Sequence, residues 1–187
     1  MTPLAGLACA VWALLTLLSL GVWRAPRRRG ALFARRRLVV GVVTVEVTGI
    51  AAVALMAGLA DPLSAPWSWF AVGLAAAAAL LSGGAVTLSV LALADTTSRP
   101  GAARVQRTIL RGGTWIGALE RLAMTATLVA GWPEGMAGIV AVKALARYPE
   151  LKAAQNTGAI ERFIIGTFTS LGWAAACAGV ALVLTRS

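Results

Sequence analysis

The chain contains no histidine. A His-based catalytic triad, a His metal site and a His pH switch are therefore excluded. It has two cysteines, Cys9 and Cys177, in separate apolar runs. Two isolated thiols make neither a disulfide scaffold nor a metal site, and in such runs cysteine packs as a small hydrophobe. Acid is scarce as well, with seven Asp and Glu among 187 residues. Only 13% of residues are charged, against about 25% in a soluble domain. No nucleophile–base pair or acidic metal motif stands out, so the sequence carries no catalytic signature, no cofactor motif and no metal motif.

What is present is oil. Hydrophobic residues make up 59% of the chain, and its mean hydropathy is +0.81. Charge-free apolar runs of 18 or more residues belong to bilayers. The fold expected is an all-α membrane protein, one domain over 1–187, with six transmembrane helices. The segments run from about 3–23, 38–60, 67–94, 114–132, 133–148 and 160–184. Nothing basic precedes Arg24, so the first segment reads as an uncleaved helix rather than a signal peptide. Gly83-Gly84 is a place for a kink or shifted ends in the long third segment. The fifth segment is short. Its 16 residues cover about 24 Å of a ~30 Å core, which leaves a thin span and a re-entrant helix both open.

The 17 Lys and Arg give a net charge of +10. On a soluble chain that would suggest nucleic acid, but here the basic residues gather in short connections. Residues 24–37 carry seven arginines (24, 27, 28, 29, 35, 36 and 37), and 95–113 carry Arg99, Arg104, Arg107 and Arg111. Lys152 lies in the last connection, flanked by Arg147 and Arg162, whereas 61–66 and the turn at Pro133-Glu134 have no Lys or Arg. Basic and bare connections alternate strictly. The positive-inside rule then sets the basic ones in the cytoplasm and both termini on the far side. Anionic lipid headgroups are the partners such connections attract, and nucleic acid is not expected. The preference for Arg over Lys, with abundant Ala and Gly, fits a GC-rich bacterial genome and its cytoplasmic membrane.

A few charges fall inside the spans. Glu46 lies about 12 Å, Glu120 about 9 Å and Lys143 about 8 Å from the cytoplasmic side, counted at 1.5 Å per residue. Arg121 lies beside this level, and Arg147 one turn from Lys143. Glu46, Glu120, Arg121, Lys143 and Arg147 thus form a candidate intramembrane polar cluster. Side chains lean toward their helix N-terminus, so Arg121 is expected to snorkel to cytoplasmic water. Lys143 leans inward and needs Glu120 or Glu46 as a partner. Glu161 and Arg162 read as an interfacial pair at the start of the last helix.

Gly117-Ala118-Leu119-Glu120-Arg121 recurs as Gly158-Ala159-Ile160-Glu161-Arg162. The same offset aligns Gly131-Trp132 with Gly172-Trp173, so duplication and compositional chance both stand as readings. Most tryptophans fall near segment ends, as an aromatic belt requires; Trp12 and Trp173 fall deeper and are expected to pack between helices.

Over about the last 70 residues the chain resembles an uncharacterised family of bacterial integral membrane proteins. The resemblance lies in Gly-Ala-Leu-Glu-Arg at 117–121, in Val-Lys-Ala-Leu-Ala-Arg-Tyr-Pro-Glu-Leu at 142–151 and in Glu-Arg-Phe-Ile-Ile-Gly-Thr at 161–167. It implies a multi-pass membrane protein and no agreed activity. Longer members carry a His- and Asp-containing motif near their start. A role tied to that motif does not transfer to a chain without histidine. Three functions follow from the residues: ion-coupled transport through the intramembrane charges, an assembly or regulatory subunit forming a homo-oligomer or binding a membrane-protein partner, and an enzyme on a lipid-linked substrate.

Overall fold

The computed structural model describes residues 3–24, 32–95, 112–153 and 157–186. The arginine-rich connections at 25–31 and 96–111, which carry much of the charge alternation, lie outside the described residues. Six helices follow one another: α1 Pro3–Arg24, α2 Leu32–Leu59, α3 Trp67–Asp95, α4 Gly112–Val129, α5 Gly135–Ala153 and α6 Thr157–Leu184. Among the described residues the chain is all-helical, without strands.

Three stretches are long and apolar enough to cross a membrane: Val39–Leu59 of α2, Trp67–Ala94 of α3 and Ile160–Leu184 of α6. Three, not six, meet that measure. α1 offers the shorter apolar stretch Pro3–Ser19. α4 is only 18 residues long with two charges inside, and α5 carries Lys143, Arg147 and Lys152.

α3 and α6 form the centre. α1 packs on α2 and α3, α2 packs on α3 and α6 as well, α4 covers both α3 and α6, and α5 packs mainly on α4. The distribution of side chains is inverted relative to a protein in water. Half of the buried hydrophobic residues among those described are alanines, such as Ala75, Ala79, Ala174 and Ala178. Large side chains such as Leu17, Leu55, Phe70, Leu145 and Phe168 point outward. Lipid tails reward no burial of Leu, so helices in membranes associate through small residues that let backbones approach.

Two tight connections fix the helix pairing. At 60–66 the chain turns from α2 to α3, and Leu63 N–H donates to the Leu184 carbonyl at 2.8 Å, capping the end of α6. At the end of α4, Gly131 adopts a left-handed φ of 71°. Trp132 N–H reaches the Thr127 carbonyl at 2.9 Å, and Gly131 N–H that of Leu128 at 3.1 Å. This is a Schellman stop, which glycine supports without Cβ strain. Pro133 then supplies a carbonyl to Met136 N–H at 3.1 Å and leads into α5.

The structure corrects some expected boundaries. α2 begins at Leu32, so the helix includes Arg35, Arg36 and Arg37 rather than starting after them. α5 does not stop before Pro149 but passes through it to Ala153, giving 19 residues. Proline there removes one backbone donor near the helix end, where the loss is tolerable beside water. α3 runs as one helix through Gly83-Gly84.

Candidate functional site

The hairpin geometry explains the first contact. Glu120 lies eleven residues before Gly131 and Lys143 eleven after Trp132, so an antiparallel α4–α5 pair with its turn there sets them opposite each other. Lys143 Nζ donates to Glu120 Oε2 in an ion pair, with side chains 18% and 13% exposed. Of the two partners expected for Lys143, the structure supplies Glu120.

Arg121 points elsewhere. Successive residues on a helix are 100° apart, so when Glu120 faces α5 its neighbour faces the α3·α6 side. Arg121 is 6% exposed. Nη1 donates to Ser170 Oγ of α6 at 3.2 Å, and Nη2 to the Leu80 carbonyl of α3 at 3.3 Å. Nε is buried without a partner among the described residues. The expectation that this arginine snorkels to the cytoplasm is therefore corrected. The reason lies in Gly83. A Cβ there would fall 2.6 Å from Arg121 Cδ, 3.0 Å from its Nε and 3.1 Å from Trp173 Cδ1. The missing side chain is the slot through which the guanidinium stem enters the α3·α6 seam.

The surrounding wall is polar in a regular way. Trp173 is buried and its Nε1–H donates to Ser82 Oγ at 2.8 Å. Ser82 in turn donates to the Ala78 carbonyl at 2.8 Å. Thr125 Oγ1 donates to the Arg121 carbonyl at 3.0 Å, one turn along α4. Thr167 lies one turn before Ser170 on α6, and its buried Oγ1 has no partner among the described residues. No carboxylate among the described residues is within ion-pair distance of Arg121, since Glu120 is turned to Lys143. A charge buried in a low-dielectric interior is costly unless it is paired and hydrogen-bonded. Two neutral acceptors satisfy part of the guanidinium's hydrogen bonding but give its charge no ion-pair partner among the described residues.

Glu46 occupies a third position. It is 6% exposed and accepts a hydrogen bond from Ser19 Oγ of α1. Both cysteines are buried and free. The five residues expected as one cluster are thus distributed over three interfaces: Glu46 between α1 and α2, Glu120 with Lys143 between α4 and α5, and Arg121 at the α3·α4·α6 junction. Arg147 is half-buried one turn beyond Lys143. Glu161 is exposed and Arg162 half-buried near the start of α6.

The 41-residue echo has unequal surroundings. Trp173 is buried against Ser82, whereas Trp132 is 60% exposed; Arg121 is buried, whereas Arg162 is half-buried. Trp12 and Trp173 do pack inside, and Trp67, Trp69 and Trp115 lie outward near helix ends. Sequence reading missed Ser19, Ser82, Gly83, Thr167 and Ser170 as partners. Their signal was weak: hydroxyl residues and a glycine within apolar helices.

Among the described residues no three His, Cys, Asp or Glu side chains come together as metal ligands. Comparison of the chain with protein-family models, curated proteins and solved structures gives no match.

Proposed function

We propose that the chain is a six-pass protein of a bacterial cytoplasmic membrane, with both termini on the non-cytoplasmic side, that moves an ion or an ion-coupled solute. The family resemblance of its last 70 residues belongs to the same proposal. The observation that carries it is Arg121, a buried cation held by neutral acceptors while the adjacent Glu120 is engaged by Lys143. Ionisable groups inside spans usually mark a pathway or binding site. Structural glue alone would have favoured pairing Arg121 with an acid. The alanine-lined interior and leucine-rich exterior support the membrane setting. Anionic headgroups are the lipid partners of the basic connections.

Reconstituted vesicles loaded with salt or pH dye test this reading. Net ion or proton flux that falls on Glu120→Gln or Arg121→Met supports it. Absence of flux, with no effect of either substitution, contradicts it.

A second reading is an assembly or regulatory subunit. α5 packs mainly on α4 and turns Val140, Val142, Leu145 and Tyr148 outward, a surface suited to a second copy or another membrane helix. Purification as a lone monomer in mild detergent counts against it. Enzymatic action on a lipid-linked substrate, with Glu46, Glu120 or Glu161 as base, ranks below both. Those carboxylates lie on separate interfaces or on the exposed start of α6.

A further inference from the structure

We propose that the α3·α4·α6 junction is a binding site for a small monovalent inorganic anion of halide size, centred on Arg121. The inference deepens the ion-handling reading and rests on it for its purpose.

The chemistry of the junction favours a compact anion. Arg121 brings one positive charge and an unpartnered Nε–H donor. Thr167 brings a buried hydroxyl with no partner, one turn from the Ser170 that already accepts from the guanidinium. Both side chains are more than nine-tenths buried. The unmet capacity thus includes an N–H donor and a hydroxyl able to donate, beside a cation with no carboxylate in ion-pair range among the described residues. An anion accepting from such groups gains charge-assisted hydrogen bonds and neutralises the site.

Charge and space limit the ligand. One guanidinium balances one negative charge, and a dianion would leave an excess charge in a low-dielectric interior. A Cβ at Gly83 would meet Arg121 and Trp173 at 2.6–3.1 Å, so that side of the guanidinium is already filled and a bulky ligand is excluded. Ala78, Ala79 and Ala174 are buried in the same packed region. Ser170 lies ten residues after Ile160 and fourteen before Leu184, the ends of the apolar stretch of α6, so the junction is about 15 Å from one end and about 21 Å from the other. A lipid phosphate, tethered at the interface, is the wrong size and depth for such a place.

The test is made on the full-length protein in detergent, in sodium gluconate, with chloride, bromide or sulfate exchanged in at constant ionic strength. A ligand that binds only the folded state raises the unfolding midpoint by mass action. Chloride and bromide are expected to raise the midpoint saturably, and bromide to quench tryptophan fluorescence over the same range. Arg121→Met should abolish the rise in midpoint and the saturable part of the quenching. Thr167→Val should weaken apparent affinity about tenfold, the effect of removing one hydrogen bond to a charged ligand. If Arg121→Met does not fold, Thr167→Val carries the comparison alone. A midpoint independent of the anion in the wild type overturns the site. So does an anion response unchanged in the folded Arg121→Met protein, or in Thr167→Val where Arg121→Met does not fold. An equal response to sulfate overturns the assigned charge and size. Anion-dependent stability without flux removes transport and leaves the site; flux without anion-dependent stability removes the site and leaves transport.

Discussion

Glu120 and Arg121 are chain neighbours with opposite surroundings. The α4·α5 contact is a matched pair: a carboxylate, an ammonium and a hairpin that sets them level. The α3·α4·α6 junction is a mismatch, with one guanidinium, two neutral acceptors and two orphaned polar atoms. Pairing of the first kind is what helix packing needs. A charge kept without a counter-charge is what ion handling needs. The contrast shows that charge inside a membrane protein has to be read face by face.

The sharpest way to break the comparison is to remove the wall of the arginine junction. Trp173→Ala should cost about 3–5 kcal/mol, because it empties a buried tryptophan site and leaves Ser82 without its donor. Thermal unfolding in detergent measures it. Gly83→Val puts atoms where the Arg121 stem lies and should cost about 1–3 kcal/mol. A protein that tolerates valine at 83 without loss would mean that Arg121 does not enter through that slot.

The matched pair yields to charge reversal. Lys143→Glu and Glu120→Lys should each lower stability by about 1–2 kcal/mol, the scale of interhelical polar contacts in membranes. The double reversal should recover most of the loss, which a double-mutant cycle reads as coupling. Additive losses would deny the contact. Trp132→Phe should change stability by less than about 0.5 kcal/mol, since the residue is exposed. That result, set against Trp173→Ala, would show that the two halves of the sequence echo do different jobs.

Much of this fold was legible in hydropathy. The six apolar segments correspond to the six helices, and α3 was read almost to its ends. Hydropathy sees oil rather than helix, so it missed the polar first turns of α2 and the passage of α5 beyond Pro149. The Glu120–Lys143 contact was readable because both residues are equidistant from the turn at Gly131-Trp132. The burial of Arg121 was not. Sequence gives the 100° angle between residues 120 and 121, but which side has room depends on Gly83 of a different helix. Ser19, as the donor to Glu46, was hidden for the same reason, because i,i+3 and i,i+4 rules do not reach across helices.

One substitution decides whether the Arg121 charge serves function or stability. Arg121→Met keeps an unbranched apolar stem and removes the charge, and with the charge goes the desolvation cost of holding it inside the protein. Unfolding midpoints of Arg121→Met and wild type should be compared in gluconate, alongside ion flux in vesicles. A midpoint equal to or above wild type, with flux lost, is the outcome expected of a charge retained for ion handling. A lowered midpoint with flux intact would make Arg121 a structural residue and contradict the account.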